Sequence, residues 1–330
     1  MKKSFLLLFT LIFSFSVFAQ GVMVSDNDSI LISNNYSKIP ETRSILPSKS
    51  SLVNYLPYSY IFNQGSTGMC VAYSLALART ILYAKNEKLS SKKEISNKSF
   101  SPLFIYYKTK EYSDKLCANG LNLPTSIDYV LANGFAKLED VEKPNLFPYK
   151  NLRPNCDNYP PSIYADTKSA SNYKVDNVYF TESIIEIKTA ISQQMPVVFV
   201  CDMPFGLVFA GYEKHNFWNS SKLYGNSKMR NQYISGYHAM TIVGYDDNKY
   251  GGTFQIFNSW GDEWGRDGLI WIKYKDFIDD DFLAYAFAFE KNNEKSTSLF
   301  SLNNENLKID SINYITSPPN IFPFNIDKVK

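Results

Sequence analysis

Cys70 stands at the first residue of a long apolar run, just after a glycine-containing turn, in the stretch QGSTGMCVAYSLALARTILYA from Gln64 to Ala84. A cysteine that serves only packing belongs inside a periodic apolar segment. At a helix start the thiol meets something else: the first N–H groups lack intrahelical partners, and the helix dipole places partial positive charge there. Both lower a thiol pKa, and the thiolate is the nucleophilic form. Such a nucleophile needs a base, a group that orients the base, and donors for an oxyanion.

The chain holds two histidines. His215 falls in a polar loop, whereas His238, in GYHAMTIVGYDD, stands at the mouth of a predicted strand. Asn258 ends the next predicted strand, in TFQIFNSWGDEWG, with Trp260 two residues on. If these strands pair, an Asn258 carbonyl can hold one imidazole nitrogen and leave the other to face the sulfur. Trp260 would then shield that bond from water. Gln64 can offer its amide N–H to an oxyanion together with the Cys70 backbone N–H. Each residue alone has a plainer reading: a small helix cysteine, a strand-end histidine, a turn asparagine, a loop glutamine. Together they select nucleophilic acyl chemistry.

The elements that must position these groups are legible in outline. From Cys70, the residues Val71, Leu75, Ala78 and Leu82 recur at helical spacing, with no Pro or Gly until past Lys85. SPLFIYYKTKEY predicts a second helix with Ser101 as N-cap and Pro102 at its first position. PTSIDYVLANG predicts a third, closed by Gly134. The second half changes to short aromatic and β-branched runs: PVVFVC, HAMTIVGY, TFQIF, GLIWIKY and FLAYAFAF. Helices followed by strands indicate an α+β class with two lobes.

Composition bounds the rest. Apolar residues make up 45% of the 330, with 24 Phe and 24 Tyr, enough for a sizeable core. Lys2 and Lys3, the apolar run Phe5–Phe18 and the small Ala19 read as a signal peptide over 1–19, and so predict a secreted or periplasmic protein. That run is too short for a comfortable membrane span, which needs about 20 apolar residues, so no stable membrane anchoring is expected after its removal. Loss of two lysines takes the net charge of +2 to zero, leaving no electrostatic case for a nucleic-acid partner. Residues 20–45, rich in Ser, Asn and Asp, read as a flexible lead, and 291–330 as a polar tail. The four cysteines form no CxxC pair, so no metal site is expected. No pattern specifies an oligomeric state.

QGSTGMC, GYHAMTIVGY and NSWGDEWG are similar, in order and internal spacing, to the three motif blocks of the papain-like cysteine peptidases, over residues 46–290. The resemblance implies a helical lobe carrying Cys70, a β-barrel-like lobe carrying His238 and Asn258, and a cleft between them. It implies hydrolysis of a protein or peptide substrate through a covalent acyl-enzyme, with no cofactor. Val200, Tyr237 and Ala239 match positions that line the main specificity pocket, and Trp260 lies beside them. Cys156 falls at a bridged position of the family, which together with export implies a Cys117–Cys156 disulfide. Three departures stand out. Thr67 replaces the family's bridging cysteine, Val71 replaces an aromatic, and no inhibitory pro-domain fits before Leu46, so synthesis without that form of latency is expected. The segment from Phe205 to Tyr237 is an unusual insertion, expected to shape one wall of the cleft. The same residues also suit a Cys–His acyltransferase or a non-peptide amidase, and the fold also suits a non-catalytic peptide or glycan binder.

Overall fold

The computed structural model describes residues 21–25, 28–40, 45–141, 167–220, 233–278 and 282–291. The signal segment, Cys156 and all of the tail beyond Lys291 lie outside the described residues.

Helix α1 spans Asp28–Asn35 and helix α2 spans Cys70–Asn86. α2 begins at the predicted residue and runs without a breaker, but it is not a one-faced surface helix. Fourteen of its seventeen residues are buried, as expected for a helix enclosed on all sides. It packs on α4 (Pro102–Thr109) and α5 (Leu123–Asn133) as well as on the sheet. Before them, α3 spans Lys92–Asn97. The caps follow the sequence signals. Ser101 Oγ accepts from the Phe104 N–H at 3.1 Å, Asn122 Oδ1 accepts from the Thr125 N–H at 3.0 Å, and Gly134 closes α5 with φ 82°.

The strands are β1 (Lys49–Ser51), β2 (Asn177–Thr181), β3 (Val197–Pro204), β4 (Phe217–Trp218), β5 (Tyr233–Asp246), β6 (Thr253–Phe257), β7 (Leu269–Lys273) and β8 (Leu283–Glu290). They form one sheet in the order β2-β8-β3-β5-β6-β7-β4, with β1 added to β5. All pairs are antiparallel except β4 with β7. The five predicted strands are present, joined by three short ones, β1, β2 and β4. The expected barrel-like lobe is an antiparallel sheet whose ladder, among the described residues, has no pairing between its end strands β2 and β4. A further helix, Ile184–Ser192, starts on a capping box of Ser183 and Glu186. The insertion opens with the helix Phe205–Tyr212.

The lead corrects the expectation made of it. Residues 20–45 read as exposed, flexible chain, yet Asp28, Ile32, Tyr36 and Ile39 are buried. The Tyr36 ring meets Phe287 of β8 edge-on at 4.9 Å, and its hydroxyl donates to Asp128 Oδ1 at 2.5 Å. An isolated helix of eight residues is unstable in water. Burial of Ile32 within it, and docking of Tyr36 just after it on the sheet and α5, are what hold α1 as a helix.

Candidate active site

Strand pairing assembles the site. β5 and β6 run antiparallel with Thr241 opposite Phe257, so His238 and Asn258 emerge at the same end of the pair. His238 Nε2 and Asn258 Oδ1 lie 2.8 Å apart. The Ser259 N–H donates to the same Oδ1 at 2.8 Å, which identifies that atom as the acceptor and Nε2 as the protonated nitrogen. The Trp260 ring lies 4.9 Å from the imidazole, tilted by 37°. His238, Asn258 and Trp260 are all buried. His238 Nδ1, the nitrogen left for a proton transfer, is buried and has no hydrogen-bond partner among the described residues.

Cys70 is the first residue of α2 and is fully buried. The backbone N–H groups of Ala239, Gly21, Val71 and Cys70 itself pull its thiol pKa down. One of these belongs to the residue after His238, so sulfur and imidazole share one corner of the site. Burial nevertheless dominates. It pushes the thiol up to about 11, against the pull of those N–H groups. It pushes His238 down to about 4, against the bond to Asn258. In this arrangement both groups are neutral near pH 7.

Gln64 is buried beside them. Its Oε1 accepts from Ser259 Oγ, and its Nε2 donates to Thr67 O at 2.8 Å. The glutamine thereby ties the turn before α2 to the strand end carrying Asn258. Thr67, standing where a bridging cysteine was looked for, closes the turn through its hydroxyl, which donates to Gln64 O at 2.7 Å. Cys117 is buried; its predicted partner Cys156 is outside the described residues. Cys70 and Cys201 carry free thiols, and Cys201 lies opposite His238 in the sheet.

The remaining predicted residues fall close by. Val200 pairs with Ala239 across β3 and β5, and both are buried. Tyr237 is 36% exposed. Sequence reasoning missed Tyr285, which flanks Val200 on its other side in β8. It also missed Tyr212, whose ring stacks on Trp260 at 6.1 Å and 14°. That contact makes the insertion part of the wall beside the tryptophan.

The largest omission is the lead itself. Val22 bridges Leu121 in parallel and Tyr237 antiparallel, so the backbone is stitched to both sides of the site. The Leu121 N–H donates to Gly21 O at 2.8 Å, and the Met23 N–H donates to Leu121 O at 3.0 Å. Gly21 passes so close that a Cβ on it would lie 2.0 Å from Gly68 O, and a Cβ on Gly120 would lie 2.2 Å from the Gly21 carbonyl carbon. Only glycine allows backbones to approach this closely. Asp28 follows in a pocket lined by Asn122 and Tyr285. A signal was available in part: a Ser-Asp-Asn-Asp start precedes an apolar Ile-Leu-Ile run, of which Ile32 is buried in α1.

Comparison with known proteins adds an independent view. Residues 54–280 match the model of the papain family cysteine proteases. The chain is 28% identical over 235 residues to an uncharacterized peptidase C1-like protein of Acanthamoeba polyphaga mimivirus, covering 68% of this chain and 67% of that protein. It is 25% identical over 213 residues to cysteine proteinase 1 of Entamoeba histolytica, covering 64% of this chain but only 58% of that relative's length. Among solved structures it superposes on xylellain, a cysteine protease from Xylella fastidiosa, with a TM-score of 0.62 at 22% identity, covering 83% of this chain and 96% of that one. Procathepsin B S9 from Trypanosoma congolense gives 0.59 at 15% identity, covering 84% and 88%. At these identities the structural likeness speaks for the fold alone.

Proposed function

The chain belongs to the papain family of cysteine proteases, and from that premise we propose that Cys70, His238, Asn258 and Gln64 hydrolyse peptide bonds in protein substrates. The observation that carries this reading is the 2.8 Å bond holding His238 to Asn258 under Trp260, in the same corner as a thiol at a helix start. Once solvent and substrate replace the lead, the burial that keeps both groups neutral is relieved. The Cys70 proton can then pass to His238 Nδ1. The thiolate attacks the peptide carbonyl, and the oxyanion is met by the Cys70 N–H and the Gln64 amide. The tetrahedral adduct collapses as His238 returns the proton to the departing amine, leaving a thioester. His238 then takes a proton from water, whose oxygen displaces the sulfur, and the acid product leaves.

The position of the lead adds a condition. Val22 is bridged to Leu121 and to Tyr237, the residue before His238, so on this reading residues 21–25 lie where a substrate would and must leave before catalysis. The expectation of synthesis without latency is replaced by a covered form awaiting release. The basic Lys2-Lys3, the apolar run and Ala19 support export with cleavage after Ala19. Export in turn supports the Cys117–Cys156 disulfide.

The test is turnover of a denatured, fluorescently labelled protein by the full chain and by its Cys70→Ala and His238→Ala variants. We expect cleavage by the parent after mild proteolytic treatment of the lead, and a loss of at least about a thousandfold in either variant, the scale on which general-base and covalent catalysis act. Cleavage that survives both substitutions would overturn the reading. Retention of the labelled protein without cleavage, in the treated parent, would establish a binder instead.

A further inference from the structure

Asp28 is a carboxylate buried to 3% exposure, and no ion pair with Lys or Arg compensates it among the described residues. Burying a carboxylate is costly unless donors replace its water. Here they do. Asn122 Nδ2 lies 3.2 and 3.0 Å from its two oxygens, the Ser25 N–H donates to Oδ2 at 3.1 Å, and the Tyr285 hydroxyl lies 3.4 Å from Oδ2.

Two of these donors belong to the body of the protein, and Asn122 is fixed as a donor before Asp28 arrives. Asn122 is the N-cap of α5: its Oδ1 accepts from the Thr125 N–H at 3.0 Å and from Thr125 Oγ1 at 2.9 Å. The cap consumes the amide oxygen and turns Nδ2 outward. Burial, followed by the nearby Asp28 charge, pushes the Tyr285 phenol far up, so it stays protonated. A protonated phenol and a capped amide present N–H and O–H to a ligand, the complement of a carboxylate.

The pocket also belongs to the cleft. Tyr285 flanks Val200, which pairs in turn with Ala239 beside His238. Asn122 follows Leu121, the residue on which Val22 is bridged. Asn122 Nδ2 also donates to Met23 O at 3.1 Å, so the same side chain reads both the backbone and the acid of the segment lying over Cys70.

We propose that Asn122 and Tyr285 form a carboxylate-accepting subsite of the cleft, filled here by the chain's own Asp28 and offered, once the lead has left, to Asp side chains of peptide substrates. The inference rests on the peptidase reading for its substrates but not for its pocket, and the two can fail separately.

The first measurement is the rate at which iodoacetamide alkylates Cys70 in the full chain. Asp28→Asn leaves an amide facing an amide, and Asn122→Asp sets two carboxylates together while keeping an oxygen acceptor for the α5 cap. Each is expected to open the lead and speed alkylation by about tenfold or more, the scale of a lost hydrogen bond to a charged group. The double variant, Asp28→Asn with Asn122→Asp, restores an amide–carboxylate pair with the partners exchanged. It is expected to return the rate to within about threefold of the parent. Single variants without effect, or a double variant no slower than the singles, would overturn the pocket.

The second measurement opens the cleft with Asp28→Asn and adds short peptides that differ only in carrying Asp or Asn at one position. Both protection of Cys70 from iodoacetamide and peptide cleavage are followed. Asp peptides are expected to protect at about tenfold lower concentration at one position, with the preference absent from Asn122→Asp alone, which opens the cleft without Asp28→Asn. Equal protection at every position would overturn the subsite. Asp-selective protection without any cleavage would leave the subsite standing and sink the peptidase reading. Cleavage with no preference for Asp would do the reverse.

Discussion

Asn258 does two things with one oxygen: it accepts from His238 Nε2 and from the Ser259 N–H, each at 2.8 Å. Asn258→Ala would strand both donors in a buried place, at about 1–3 kcal/mol for each unsatisfied group. The expected outcome is a clear fall in the thermal midpoint and a drop of at least about a hundredfold in kcat/KM, because the imidazole loses the contact that fixes its tautomer. Asn258→Asp keeps the acceptor and adds a charge, so it should recover most of the stability and raise the His238 pKa, read by NMR titration. Equal damage from Ala and Asp would mean that the oxygen is not what matters. These residues were legible from sequence because types and spacing carry the chemistry. Tyr285 and Asn122 were not. A tyrosine in FLAYAFAF and an asparagine before a helix carry no mark of a site until the sheet sets the first beside Val200 and the cap turns the second outward.

At the scale of elements, α2, α4, α5 and five of the eight described strands could be read from caps, breakers and periodicity, because those signals are local; α3 and the helices Ile184–Ser192 and Phe205–Tyr212 were not read. α2, α4 and α5 start within a residue of the predicted positions. α1 was lost because its ordering is tertiary. Eight residues cannot hold a helix alone, and what holds them are Ile32, Tyr36 and Asp28 docked on partners distant in sequence. Ile32→Ala therefore tests the element rather than the fold. Truncating a buried isoleucine costs about 2–5 kcal/mol, and an element held only by docking can answer that cost by undocking. We expect Cys70 alkylation to rise by about thirtyfold or more while the main unfolding transition moves little, since local opening lies far below the global barrier. A lowered transition with unchanged labelling would place Ile32 in the common core instead.

For the whole molecule, the covered and open forms are separated by what burial does to the two reacting groups. Burial of His238, only partly offset by its bond to Asn258, lowers its pKa from 6.5 to about 4 in the covered form. A solvated ring, in the open form or the unfolded chain, keeps the higher value. A depressed folded pKa gives stability that is full above pH 6.5 and is lost as pH falls toward 4, because the open form binds the extra proton. Over that window the covered form should lose on the order of 3 kcal/mol relative to the open one, about a hundredfold in the opening equilibrium. Cys70→Ser is made in both proteins compared, so the thiol, raised to about 11 in the covered form, has no proton to pass to the open ring and this limb reads the imidazole alone. The measurement is amide hydrogen exchange of the α1 residues, corrected for intrinsic rates, between pH 7 and 4. Protection should fall steeply in the parent and much less in His238→Gln, which cannot take the proton. An identical fall in both would assign the acid response to the carboxylates of the lead and not to the imidazole. A fall specific to the parent would mean that the residue poised to move protons in catalysis also loosens the cover over its own site.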